Sequence, residues 1–207
     1  IKSISKIAQA KGSLMIVSVV EPYSLGILNS PGDSGADIVV GEGHSFGNPM
    51  NFGGPYLGII ACKKDYIRYM PGRIVGATTD NRGNRGYVLT LQAREQHIRR
   101  EKAICNICSN EALCALAATV HLATVGKNLG KIANNSMQNA HYLFRRITSL
   151  PSFAQVFNTY FFNEFVVRCD NASLVNKMLL EKKIIGGYEV ESDYPELKNC
   201  LLFCATE

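Results

Sequence analysis

"GADIVVGEGHSFGNPMNFGGPYLGIIAC", residues 35–62, sets two short apolar runs on either side of a loop dominated by glycine, proline and asparagine. Ala36 to Val40 and Tyr56 to Cys62 are too short for helices and rich in β-branched residues, so both read as strands. An earlier run, Leu14 to Val20 (LMIVSVV), is apolar throughout, as in a strand covered on both faces. A helical pattern over residues 2–11 precedes it and ends at Gly12, and Glu21-Pro22 stops the strand. One helix and three strands make a slice of a parallel α/β sheet. The slice implies neighbours, either upstream in a longer chain or in a partner, and the lack of Met at position 1 fits that expectation.

Beyond the loop the composition changes. From Lys63 to Lys102, Lys63, Lys64, Arg68, Arg73, Arg82, Arg85, Arg94, Arg99, Arg100 and Lys102 face only Asp65, Asp80, Glu95 and Glu101, an excess larger than the +5 of the whole chain. Such a stretch could be an electrostatic footprint for nucleic acid. Its basic residues are separated by glycine-rich turns (Pro71-Gly72, Asn81 to Gly86) and lack interleaved stacking aromatics, so a solvated or interface face is the preferred reading, with some of the arginines meeting carboxylates at a subunit interface or on a substrate. A long helical pattern over about 94–125 follows, loosened by Gly126 and Gly130, then a second helix from about Lys131 to Ile147 that Pro151 terminates. The remainder reads strand (153–157), strand (164–169), a helix after Asp170-Asn171 to about Lys183, a Gly186-Gly187 turn and a terminal strand (200–205). The division expected is a partial large domain over 1–125 and a small α+β domain over 126–207.

Composition narrows the classes further. No apolar run approaches the roughly 20 residues that cross a bilayer, and no signal-peptide pattern leads the chain, so a membrane role is not expected and a soluble, intracellular protein is. Seven cysteines without framework spacing read as reduced, buried thiols. Only Cys105 and Cys108 form a C-x-x-C, without the second pair that zinc requires.

Five stretches are more specific: Glu21 to Gly26 (EPYSLG), Gly35 to Gly43 (GADIVVGEG), Asn51 to Gly58 (NFGGPYLG), Met70 to Gly76 (MPGRIVG) and Arg94 to Ala103 (REQHIRREKA). With Gly186-Gly187-Tyr188 and Asp193 to Leu197, they resemble the P-protein family of the glycine cleavage system, in the half called subunit 1 where the protein is split. The resemblance spans the whole chain. It implies an α/β fold: the C-terminal part of a fold-type I pyridoxal-phosphate-dependent transferase-like large domain, followed by a small α+β domain.

In the catalytic half of that family the corresponding strand end carries a histidine-lysine pair whose lysine binds the cofactor. Here the loop reads Gly43-His44-Ser45-Phe46, and no lysine or arginine occurs from Gly12 to Cys62. Without an amine there is no Schiff base. The resemblance therefore implies no cofactor in this chain, pyridoxal phosphate in a partner subunit 2, and assembly as an αβ pair repeated in a heterotetramer. The implied activity is that of glycine dehydrogenase (decarboxylating), which decarboxylates glycine and passes the aminomethyl group to the lipoyl arm of H-protein. A fragment of this extent is expected to be inactive alone. No catalytic or metal residue is expected; Arg73 in its Pro-Gly turn, His44 in the loop and His97 are the candidates for lining the site or an interface. Glu21 stands near where pyridoxal enzymes place the acid that pairs with the pyridine nitrogen. The alternatives are a purely structural assembly subunit and, further off, a basic nucleic-acid-binding fragment.

Overall fold

The computed structural model describes residues 1–103 and 111–206. Cys105 and Cys108 lie outside the described residues. The chain divides into two compact units: Ile1–Pro22 with Asn29–Thr124, and Tyr23–Leu28 with Val125–Glu207.

The first unit begins with helix α1 (Lys2–Ala10). Its buried Ser5 donates a 2.9 Å hydrogen bond to the carbonyl of Gly35. Gly35 has φ +96, and a Cβ there would come within 2.3 Å of the Ser5 hydroxyl, so glycine is required on both counts. Strands β1 (Ile16–Val19), β2 (Ile38–Glu42) and β3 (Gly58–Cys62) form one sheet in that order. β1 and β2 are parallel, Ile16 beside Ile38, as the buried-strand pattern predicts. β3 departs from the expected parallel slice: it runs antiparallel to β2, with Ile38 opposite Cys62 and Glu42 opposite Gly58. The reason is the connection. A loop with no crossover helix returns the chain at the end of the strand it left, and that geometry pairs strands antiparallel.

The basic segment holds a hairpin that the glycine-rich reading missed, β4 (Ile74–Thr79) and β5 (Arg85–Thr90). Its turn is built on Asp80, whose Oδ1 accepts from the amides of Arg82 and Asn84, both at 2.8 Å, with Gly83 at φ +80. Those bonds favour the ionised form and hold the Asp80 carboxyl below its ordinary range. The helix expected from residue 94 is broken. A short 3-10 turn (Gln92–Arg94) leads to α2 (Gln96–Arg99), which ends at Arg100 with φ 52, a conformation no continuing helix contains. Helix α3 (Ala112–Val125) then completes the unit.

The second unit is an antiparallel sheet with helices against it. Helix α4 (Leu129–Thr148) is followed by β6 (Phe153–Gln155), β7 (Glu164–Cys169), helix α5 (Ala172–Glu181), β8 (Tyr188–Glu189) and β9 (Cys200–Cys204), with the strands in the order β6-β7-β9-β8. Asn171 caps α5, accepting from the amide of Leu174 at 2.9 Å, as Asp170-Asn171 predicts. Ala140 of α4, Phe165 and Val167 of β7, Ala172 of α5 and Leu201 of β9 form its core. Around them Phe144, Phe161, Phe165 and Phe203 interlock, with ring centroids 5.3 to 5.8 Å apart.

Two compositional expectations change. The helical run Ala112–Thr148 is, by length and composition alone, apolar enough to cross a membrane, which a search for one unbroken apolar run overlooks. Cys114, Cys169 and Cys200 are buried, and burial pushes the thiols of Cys114 and Cys169 upward, whereas Cys204 is exposed rather than buried.

Candidate functional site

The loop from Gly43 to Leu57 leaves β2 and returns on β3, and Glu42 closes its neck. The same carboxylate oxygen accepts from the amides of His44 and Leu57, each at 2.8 Å, while the Gly43 amide donates to the Leu57 carbonyl at 2.6 Å. Sequence reasoning passed over Glu42 because nothing in the chain marks a carboxylate as bridging residues 2 and 15 positions away. A glutamate ending a strand ahead of a glycine-rich loop was the available signal.

Inside the neck the polar groups satisfy one another. The His44 Nε2 donates to the Pro49 carbonyl at 2.8 Å, which spends that nitrogen on the loop's own backbone. Ser45 donates to Glu21 at 3.3 Å, so strand-end acid and loop do meet. Phe46 is buried, and Gly47, at φ +83, lies so close to α3 that a Cβ would stand 2.6 Å from the Cβ of His121. Asn48 reaches the Cys114 carbonyl of the same helix at 3.4 Å. The far half of the loop is the opposite in character: Asn51 and Phe52 have φ 42 and 56, and Met50, Phe52 and Tyr56 are exposed.

Nothing in this cradle fits a Schiff base to pyridoxal phosphate. The first amine after the loop is Lys63, and it is held by Asp37 at 2.6 Å. Asp37 precedes β2, so this pair sits at the opposite end of the strands from Gly43, about 20 Å away at 3.3 Å per residue. The Asp37 carboxylate also accepts from the amide of Met15 at 2.8 Å. Lysine and amide together hold its carboxyl below the ordinary range, and the same bond raises Lys63. This lysine is a structural partner of β2.

The other candidates lie apart. Arg73 is exposed immediately before β4, and His97 is exposed on α2. Among the described residues no hydrogen bond or ion pair links Arg73, His44 and His97, and no group of three metal-binding side chains gathers anywhere. Arg94, read in the sequence as one more surface charge, is buried at 8 % exposure and donates to the Gly72 carbonyl at 2.6 Å.

The fold defines the class first. The chain aligns over 99 % of its length with a NifS-like protein from Rickettsia africae, at a TM-score of 0.63 and 14 % identity, covering 51 % of that chain. With the loop at the end of β2, this is the α/β fold of fold-type I pyridoxal-phosphate-dependent enzymes. The family follows from closer matches. Residues 1–205 match the model of the glycine cleavage system P-protein, and the chain belongs to that family. It is 58 % identical over 206 residues to the probable glycine dehydrogenase (decarboxylating) subunit 1 of Desulfitobacterium hafniense, covering 99 % of this chain and 46 % of that protein. The counterpart from Moorella thermoacetica is 53 % identical over 95 % of this chain and 45 % of its own length. A crystal structure of glycine decarboxylase (P-protein) of the glycine cleavage system, in inhibitor-bound form, superposes with a TM-score of 0.90 at 41 % identity, covering all of this chain and 47 % of that one. The chain thus spans about half the length of the relatives it matches.

Proposed function

We propose that this chain is part of the P-protein subunit that does not carry the pyridoxal phosphate. The complete enzyme would decarboxylate glycine and deliver the aminomethyl group to the lipoyl arm of H-protein. The cofactor would reside in subunit 2, within an αβ pair that repeats as a cytoplasmic heterotetramer. The observation that supports this reading is the loop at the end of β2: it contains no amine, and its neck and its histidine are bonded to the loop itself. A cradle whose polar groups are already satisfied offers shape to a neighbour and no chemistry of its own.

In this reading His44 maintains the loop, His97 belongs to a polar interface, and Arg73 is the residue of this chain that meets a carboxylate near the reaction site. A charge-assisted hydrogen bond is worth about 1.5–3 kcal/mol, so Arg73→Ala should lower kcat/KM of the assembled enzyme roughly ten- to a hundredfold. Unchanged turnover would remove Arg73 from the proposal. The subunit assignment itself is tested with the full-length chain, purified with and without subunit 2 and supplied with pyridoxal phosphate. The expected result is no bound chromophore on this chain alone, and glycine decarboxylation only after mixing. A chromophore that survives gel filtration on the isolated chain would overturn the assignment.

A further inference from the structure

Arg94 lies in the most basic segment of the chain, yet only 8 % of it is exposed. It closes the 3-10 turn that follows β5, entered through Leu91 in the left-handed region at φ 52, where a branched side chain is strained. One terminal nitrogen donates to the Gly72 carbonyl at 2.6 Å, and the carboxylate of Glu95 stands 3.9 Å from that nitrogen. Its Nε is buried and meets no hydrogen-bond acceptor among the described residues.

A guanidinium buried with an unused N–H lowers stability. A residue kept only to close the base of a hairpin would serve better if it were apolar or fully satisfied. What this burial achieves is control of a single carbonyl, at the turn that leads into β4. Gly72 has φ +77, and no atom lies within 4 Å of where its Cβ would be, so the backbone direction and not the space requires glycine there. The next residue is Arg73, exposed and without a hydrogen-bond or ion-pair partner among the described residues. A strained entry, an incompletely satisfied buried cation and a left-handed glycine thus converge on the peptide that aims Arg73. Strain of this kind persists where the surrounding structure enforces it, and it clusters at sites of function.

We infer that Arg94 is a positioning residue which, through the Gly72 carbonyl, fixes the direction in which Arg73 presents its guanidinium to a carboxylate. The inference rests on the role proposed above for Arg73. The carboxylate belongs either to the amino-acid substrate or to an acidic side chain of the lipoylated carrier protein, and kinetics separate the two.

The test uses the full-length chain assembled with subunit 2, comparing Arg73→Ala, Arg94→Gln, their double variant and Gly72→Ala, with Arg82→Ala at the far end of the hairpin as control. KM for glycine and KM for carrier protein are measured separately. Arg94→Gln and Gly72→Ala should raise the same KM that Arg73→Ala raises, by about threefold or more, and should add nothing in the double variant. A rise confined to glycine identifies the substrate as the source, and a rise confined to the carrier identifies the protein. Gly72→Ala keeps both arginines, so it carries the test if Arg94→Gln fails to assemble. Arg94→Gln and Gly72→Ala with wild-type constants, beside an impaired Arg73→Ala, overturn the positioning role and leave Arg73 in place. Effects that add in the double variant overturn it as well. A silent Arg73→Ala removes the role of Arg73 and this inference with it.

Discussion

The sheet β1-β2-β3 and the sheet β6-β7-β9-β8 are built from equally apolar strands, yet they stand in opposite conditions. In the second, β7 alternates between exposed and buried positions, and Val167 and Leu201 are wholly buried in a core shared with Ala140 of α4 and Ala172 of α5. In the first, Ile16 is 57 % exposed and β2 has no fully buried residue. Helix α1 likewise leaves Ile4 and Ile7 exposed. The difference teaches that apolar sequence specifies a strand but not its cover. The second unit supplies both layers of its own core, whereas the sheet of the first unit keeps apolar side chains such as Ile16 exposed.

The comparison breaks if burial does not govern cost. Leu201→Ala should destabilise the second unit by about 3 kcal/mol, because it removes a fully enclosed side chain and leaves a cavity. Ile16→Ala should cost the first unit under about 1 kcal/mol in this chain, since little apolar area is lost there. Hydrogen exchange of the β9 and β1 amides under increasing urea reads each unit separately; equal losses would contradict the contrast. A smaller effect sharpens it within the first unit. Glu42→Ala should cost about 1 kcal/mol locally by freeing the amides of His44 and Leu57, seen as roughly fivefold faster exchange at those two positions with the β1–β2 ladder unchanged.

The smallest effect concerns pH. The Asp37 carboxyl is lowered by Lys63 and the Met15 amide, so its contribution is present above the unfolded carboxylate value and is lost as pH falls through the lowered folded value. Lys63 is raised, so its contribution is present below the unfolded lysine value and is lost as pH rises through the folded one. The pair therefore stabilises the first unit across the neutral range and releases at both extremes. Lys63→Met should remove the alkaline release and shrink the acid one, as followed by β2 exchange against pH.

Much of this fold was legible because its signals are local. The strand runs, the caps of α5 and the turn at Gly12 each depend on a few adjacent residues. The β4–β5 hairpin was not, since IVGATT and RGYVLT are interrupted by glycines and basic residues that read as turn. The helix expected from residue 94 failed at Arg100, where a positive φ leaves no mark on residue type. The loop's lack of an amine was plain from composition. The clamp on Glu42 and the burial of Arg94 were not, because each joins residues that only the returning chain brings together.

By itself, then, the sequence determined the α/β class, helices α1, α4 and α5, strands β1 to β3, β6, β7 and β9, and the absence of a lysine from Gly12 to Cys62, all properties of neighbours along the chain. The tertiary structure decided that β3 runs back against β2, that Lys63 answers Asp37 at the end of the strands remote from the loop, and that Arg94 reaches the peptide before Arg73. Those choices depend on where the chain returns after 15 or more residues. A hydrogen bond or an ion pair is fixed by distance in space, which residue order does not contain.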